Sequence, residues 1–236
     1  MPRISSQDFI DRLRARTARL GVIGLGYVGL PLALEFAKAG FATVGFDVDE
    51  DKVRRVSGGD PCGVDVSRAD VEALTASGRL RATTDFTQLA GLDSVDICVP
   101  TPLRKTKDPD LSHIVAAVGE IAKHLHAGQL VILESTTYPG TVEEVVRPML
   151  EEGGLHGGED FFLAFSPERV DPGEPGMDHR QYPQGRRRNR RGLDRRGAGA
   201  LRAGREHRGA GVVDARRRNG QAVGEHVQGG QHRARQ

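Results

Sequence analysis

The sequence predicts an α/β domain with a Rossmann-like doubly wound parallel sheet, followed by a disordered arginine- and glycine-rich tail. Three observations carry this. Short apolar runs alternate with helical stretches between Leu20 and Glu168, a glycine-rich turn joins the first run to the first helix, and core residues become scarce after Met177. A short apolar run alone is ambiguous between strand and helix. The repeated alternation decides, because it implies right-handed βαβ units.

Residues 1–19 space their apolar positions with charges, which predicts an amphipathic helix on Phe9, Ile10 and Leu13 rather than a secretion signal. The domain proper is expected over 20–176. Its runs "GVIGLG", "ATVGFDV", "SVDICVP", "LVILES" and "FFLAFS" are continuous rather than alternating, as strands buried on both faces require. Between them, "LPLALEFAKAG" reads as a helix, and so does "DLSHIVAAVGEIAKHLHAG", with Ile114, Val118, Ile121 and Leu125 on one face and Gly128 as its stop. "GTVEEVVRPMLEEGG" reads as another, closed by Gly153, with Thr141 expected to cap it.

The first βα turn carries Gly24-Leu25-Gly26-Tyr27-Val28-Gly29, and Asp47 ends the next strand 18 residues after Gly29. A glycine string alone is weak. Placed after a strand, at the start of a helix and upstream of that acid, it is what dinucleotide binding requires. Gly24 permits the tight turn, Gly26 lets backbone approach a pyrophosphate, and Gly29 allows close helix–strand packing. The helix N-terminus offers N–H groups to the phosphates. Asp47 would accept hydrogen bonds from ribose hydroxyls and repel a 2′-phosphate, so the expected cofactor is NAD rather than NADP. Beyond later strand ends lie Thr101, Ser135 and Thr136, whose hydroxyls could contact a cofactor or cap a helix, and Glu168, a general base or a salt-bridged loop acid.

Composition bounds the rest. The chain has two cysteines, Cys62 and Cys98, and no CxxC pair, so neither a disulfide framework nor a metal site is expected. No run of about 18 apolar residues occurs, and a soluble cytoplasmic protein is expected. Charge is divided unevenly. Residues 177–236 hold 16 arginines, no lysine and five acids, a net of +11, whereas the remainder holds 18 bases and 27 acids, a net of −9. Such a tail suggests a nucleic-acid-binding arm. Against it stands the near absence of aromatic residues for base stacking, Tyr182 alone, so no nucleic-acid partner is expected. The tail also has too few core residues to offset its ordering entropy.

Taken together, "GVIGLGYVGLPLA", "FDVDEDKV", "VDICVPTPL", "LVILESTTYPGT" and "FSPERVDPG" resemble the UDP-glucose/GDP-mannose dehydrogenase family, nearest its branch acting on UDP-N-acetylhexosamines. The resemblance runs from about Leu20 to Pro175. It implies oxidation of the C6 alcohol of a UDP-sugar to a carboxylate with two NAD molecules in turn, a homo-oligomeric parent, and a place in polysaccharide biosynthesis. By motif, Tyr27, Val28, Asp47, Lys52, Thr101 and Thr136 would contact NAD. Glu168 would be a catalytic acid/base, with Arg169 and Val170 lining the substrate site.

The sequence also departs from the family pattern. A lysine and asparagine four residues apart, which stabilise the developing oxyanion, and a nucleophilic cysteine in a second α/β domain have no counterpart here. Cys98 reads as core, and Cys62 does not match the nucleophile's motif. The tail offers a reason. Read one base downstream, "DHRQYPQGRRR" (178–188) permits "TTANTPKVVGG", where the family has a segment like "NTPKVVGG". Residues 211–236 likewise permit a helix with lysine beneath Gln221 and asparagine beneath Glu225. A frameshift near Gly176, and a catalytically inactive product, are therefore expected. Two other readings are a different two-domain NAD-dependent hydroxy-acid dehydrogenase and a non-enzymatic protein binding NAD or nucleic acid.

Overall fold

A computed structural model describes residues 6–104 and 109–166, together with the backbone of Gly211–Val212. The expected alternation is present. Strands β1 (Arg19–Ile23), β2 (Ala42–Phe46), β3 (Leu80–Thr83), β4 (Ser94–Ile97), β5 (Leu130–Leu133) and β6 (Phe162–Phe165) form a parallel sheet in the order β3-β2-β1-β4-β5-β6. A two-residue strand, β7 (Gly211–Val212), pairs antiparallel to the outer edge of β6. Helices α1 (Ser6–Arg14), α2 (Gly29–Lys38), α3 (Glu50–Ser57), α4 (Arg68–Ala76), α5 (Ser112–His124) and α6 (Arg147–Glu151) cover the two faces.

The continuous apolar runs do what their pattern demands. Every residue of β4 and β5 is buried, as is all of β1 and β2 after the first residue. One face carries Leu20, Val22 and Ile132 against α1, α2 and α4; the other carries Ile23, Val95, Val131 and Leu133 against α5 and α6. The expected N-terminal helix is α1, with Phe9, Ile10 and Leu13 all buried. Asp93 fastens it beneath the sheet. This buried carboxylate pairs with Arg12 of α1 and accepts a 2.7 Å hydrogen bond from the Arg19 backbone N–H at the start of β1.

Some details differ from the sequence expectation. Strand β3 is not among the apolar runs read from the sequence: "LRAT" buries only Leu80, because it is an edge strand. Helix α5 stops at His124, and Leu125 turns extended (ψ 136°) while still packing on the core. The helix expected over "GTVEEVVRPMLEEGG" opens with a π-helical turn, Val142–Val146, before α6. Pro148 accounts for it, since proline lacks an N–H and its ring crowds the carbonyl four residues back; a wider turn relieves both. Glu168, Arg169 and Val170 lie outside the described residues, as does the expected tail apart from the backbone of Gly211–Val212.

Candidate functional site: a dinucleotide cleft

The strand order reverses between β1 and β4, and connections leave on opposite faces there, so a crevice opens at the carboxyl ends of the strands. The glycine-rich turn sits at its floor, and each glycine meets a different requirement. Gly24 has φ +93°, and a Cβ there would lie 2.8 Å from the Cys98 carbonyl oxygen. A Cβ on Gly29 would lie 1.7 Å from the Gly24 carbonyl oxygen, so α2 could not start where it does. Gly26 is the opposite case: nothing lies within 4 Å of its missing Cβ, which leaves backbone open to the cleft. Val28, at the N-cap of α2, gives no side-chain hydrogen bond, so the helix N-terminus faces the cleft without an internal cap.

The end of β2 is tied to this turn. Asp47 is buried, and its Oδ2 accepts from the Leu25 backbone N–H at 2.9 Å and from the Lys52 ammonium at 2.8 Å. Its Oδ1 accepts from the Asp49 N–H at 3.1 Å. The Leu25 side chain is fully buried over Gly45, where a Cβ would come within 2.5 Å of it. Asp49 caps α3 by accepting from the Lys52 N–H, which fixes the lysine's backbone beneath Asp47. Spacing alone showed an acid near a glycine turn. It did not show that the acid holds the turn in place.

The loops after β4 and β5 are laced together. Ser135 Oγ donates to the Val99 carbonyl at 2.7 Å, and Thr101 Oγ1 donates to the Thr136 carbonyl at 2.7 Å. The Thr101 hydroxyl caps no helix: the N-cap of α5 is Leu111, and no side chain caps it. Thr141 was expected to cap and does not. It is itself helical (φ −50°, ψ −40°), and its hydroxyl donates backward to the Tyr138 carbonyl at 2.9 Å. Asp110 instead organises the entry to α5, accepting from the Ser112 N–H and from Arg104, both at 3.0 Å. These bonds, the backbone one foremost, pull its carboxyl down to about 2. Because the folded value is depressed, this contribution to stability is present above the ordinary carboxylate range and fades as pH falls toward 2. An NMR titration should place the Asp110 midpoint near 2 in the folded chain; an ordinary midpoint near 4 would remove its bonds from solution.

These elements enclose a cleft of about 860 Å³. Of the residues read from the sequence, Gly24, Gly26, Tyr27, Val28, Asp47, Lys52, Thr101 and Thr136 line it, and Gly29 lies in the turn beneath. Cys98 is buried as expected and also reaches the cleft. Cys62 stays outside it; its thiol is held by the Lys52 and Asp60 carbonyls, and burial raises its pKa. The sequence reading missed one wall, formed by Phe86 and by the α5 stripe His113, Glu120 and His124. Phe86 stacks on Phe46 with ring centroids 5.5 Å apart. It also missed Glu134, an acid embedded in an apolar strand run, which is buried against the cleft. Among the described residues no cluster of ligating side chains suits a metal ion. An open glycine backbone, an uncapped helix N-terminus and a buried carboxylate in one crevice fit a dinucleotide.

Comparison with known proteins gives the same picture. Residues 18–189 match the NAD binding domain of the UDP-glucose/GDP-mannose dehydrogenase family. The chain is 40% identical over 163 residues to UDP-N-acetyl-D-glucosamine 6-dehydrogenase of Pseudomonas aeruginosa, covering 69% of this chain and 37% of that protein. It is 40% identical over 160 residues to UDP-N-acetyl-D-mannosamine dehydrogenase of Pyrococcus horikoshii, covering 66% and 37%. The solved UDP-N-acetyl-D-mannosamine dehydrogenase structure from Pyrococcus horikoshii superposes with a TM-score of 0.60 at 38% identity, over 66% of this chain and 37% of that one. A ternary complex of GDP-mannose dehydrogenase from Pseudomonas aeruginosa does so with 0.61 at 32%, over 65% and 36%. The chain thus spans little more than a third of the length of these relatives.

Proposed function

We propose, from the premise that this chain belongs to the UDP-glucose/GDP-mannose dehydrogenase family and carries its NAD-binding domain, that it is the amino-terminal half of a UDP-sugar 6-dehydrogenase. The observation that carries this is the convergence of Gly26, the uncapped start of α2 and Asp47 on one cleft. NAD, when bound, accepts hydride from the substrate alcohol. The chain's own residues position it: the Gly24–Gly29 turn receives the pyrophosphate, Asp47 and Lys52 the adenosine ribose, and Tyr27, Val28, Thr101 and Thr136 further parts of the cofactor. Glu168, from its place in "FSPERVDPG", is the general acid/base, and Arg169 with Val170 faces the sugar nucleotide.

The substrate is a UDP-N-acetylhexosamine, a reading supported by the names of the 40% identical relatives. The chain is divided into an N-terminal helix (1–19), the NAD-binding domain (20–176) and an out-of-frame segment (177–236); the composition break and the shifted-frame text support that last assignment. No described helix is long and apolar enough to cross a membrane, and we place the protein in the cytoplasm, as part of a homo-oligomeric parent without a nucleic-acid partner.

The test has two parts. Calorimetric titration of the 236-residue chain should show NAD binding. A protein with the reading frame corrected near codon 176 should then form NADH with UDP-N-acetylglucosamine or UDP-N-acetylmannosamine, and not with small hydroxy acids. Turnover of hydroxy acids alone would assign the cleft to another dehydrogenase class.

A further inference from the structure

We propose that Lys52 is a latent anchor for a 2′-phosphate, kept from that role by Asp47, so that the Asp47–Lys52 pair sets the choice between NAD and NADP. This rests on the cleft being the dinucleotide site. Lys52 is the one lysine or arginine among the described residues lining the cleft, where Asp47, Asp49, Asp85, Glu120 and Glu134 supply carboxylates. A site for a 2′-phosphate needs a cation free to meet it. Among the described residues that cation is committed, with its ammonium 2.8 Å from Asp47 Oδ2.

The hydrogen-bond capacity of Asp47 sharpens this. Oδ2 already accepts from both Leu25 N–H and Lys52, and Oδ1 accepts from Asp49 N–H. One acceptor position, on Oδ1, is left for a ribose hydroxyl. A 2′-hydroxyl can donate there, whereas a phosphate can donate nothing and brings negative charge against a buried carboxylate. Asp47 therefore discriminates in two ways, by accepting from the hydroxyl and by occupying the lysine. Neutralising it should do more than remove repulsion. It should also release an ammonium whose backbone the α3 cap holds in place.

Asparagine is the informative replacement, because its carbonyl can still accept from Leu25 N–H and keep the glycine-rich turn closed. The experiment is calorimetric titration of the full 236-residue chain with NAD and with NADP at one fixed ionic strength, for wild type, Asp47→Asn, Lys52→Met and the double variant. Wild type should prefer NAD. Asp47→Asn should bind NADP about tenfold more tightly than wild type does, the scale of one charge-assisted hydrogen bond, and NAD more weakly. The double variant should lose the NADP gain. Lys52→Met alone leaves the Leu25 tie intact; because Asp47 already occupies the lysine, it should weaken NADP no more than it weakens NAD, which tests the proposal even if Asp47→Asn fails to fold. Equal NADP affinity in Asp47→Asn and the double variant, or a loss of NADP binding well beyond that of NAD in Lys52→Met, would overturn it. Failure of wild type to bind NAD would overturn the reading of the cleft, and this proposal with it.

Discussion

Gly29→Ala should abolish measurable NAD binding, a loss of about a hundredfold or more, and should also destabilise the fold. The new Cβ would lie 1.7 Å from the Gly24 carbonyl oxygen, far inside contact distance. Neither side can yield cheaply. Gly24 is pinned by its N–H to the Phe46 carbonyl at 2.7 Å and is pressed against the Cys98 carbonyl. Gly29 opens α2, whose Leu30, Leu32, Ala33 and Leu34 are buried in the core. The helix must therefore move away from β1, which costs about 1–3 kcal/mol as overpacking and takes the N–H groups at the start of α2, where we place the phosphates, out of register. Gly26→Ala provides the contrast. With nothing within 4 Å, it should leave thermal unfolding unchanged while its methyl group intrudes on the cleft where we place the cofactor. Thermal unfolding and NAD titration of both variants would separate the two roles. Wild-type behaviour of Gly29→Ala in both assays would mean that the turn is not built as described.

Where the sequence was legible, the physics was local. The glycines and the acid at the end of β2 could be found because a tight turn, a close helix approach and an acid at the end of the second strand each demand particular residues at a fixed spacing. The buried strands could be found because a run such as "LVIL" has no polar side to show. Other features depend on what lies across the fold. Strand β3 is short and half polar, and only pairing with β2 makes it a strand. The polar side of α5, with His113, Glu120 and His124, looks like any solvated helix face until β2 and β3 bring a cleft against it. The bond from Leu25 N–H to Asp47 depends on which oxygen points where, and spacing does not encode that. Thr141 does not cap because its own backbone is already helical, and its hydroxyl donates to the Tyr138 carbonyl instead.

Asp93→Ala should cost about 2–4 kcal/mol of stability and leave NAD affinity unchanged. Asp93 immediately precedes β4, at the amino ends of the strands, across the sheet from the cleft. Its side chain is 6% exposed and serves two partners, Arg12 of α1 and the Arg19 backbone N–H of β1. Truncation leaves a backbone donor without its acceptor, the costlier part of the change, and frees the helix carrying Phe9, Ile10 and Leu13 from the sheet. The Arg12 contribution is smaller, because its side chain is 38% exposed and water screens the pair. Arg12→Met should therefore cost below about 1 kcal/mol. Asp93→Asn, which keeps an acceptor for Arg19 N–H, should fall between the two. Urea unfolding of the three variants would rank them. If Arg12→Met proved as costly as Asp93→Ala, the ion pair rather than the backbone bond would be what fastens α1, and the burial argument would have the two contributions in the wrong order.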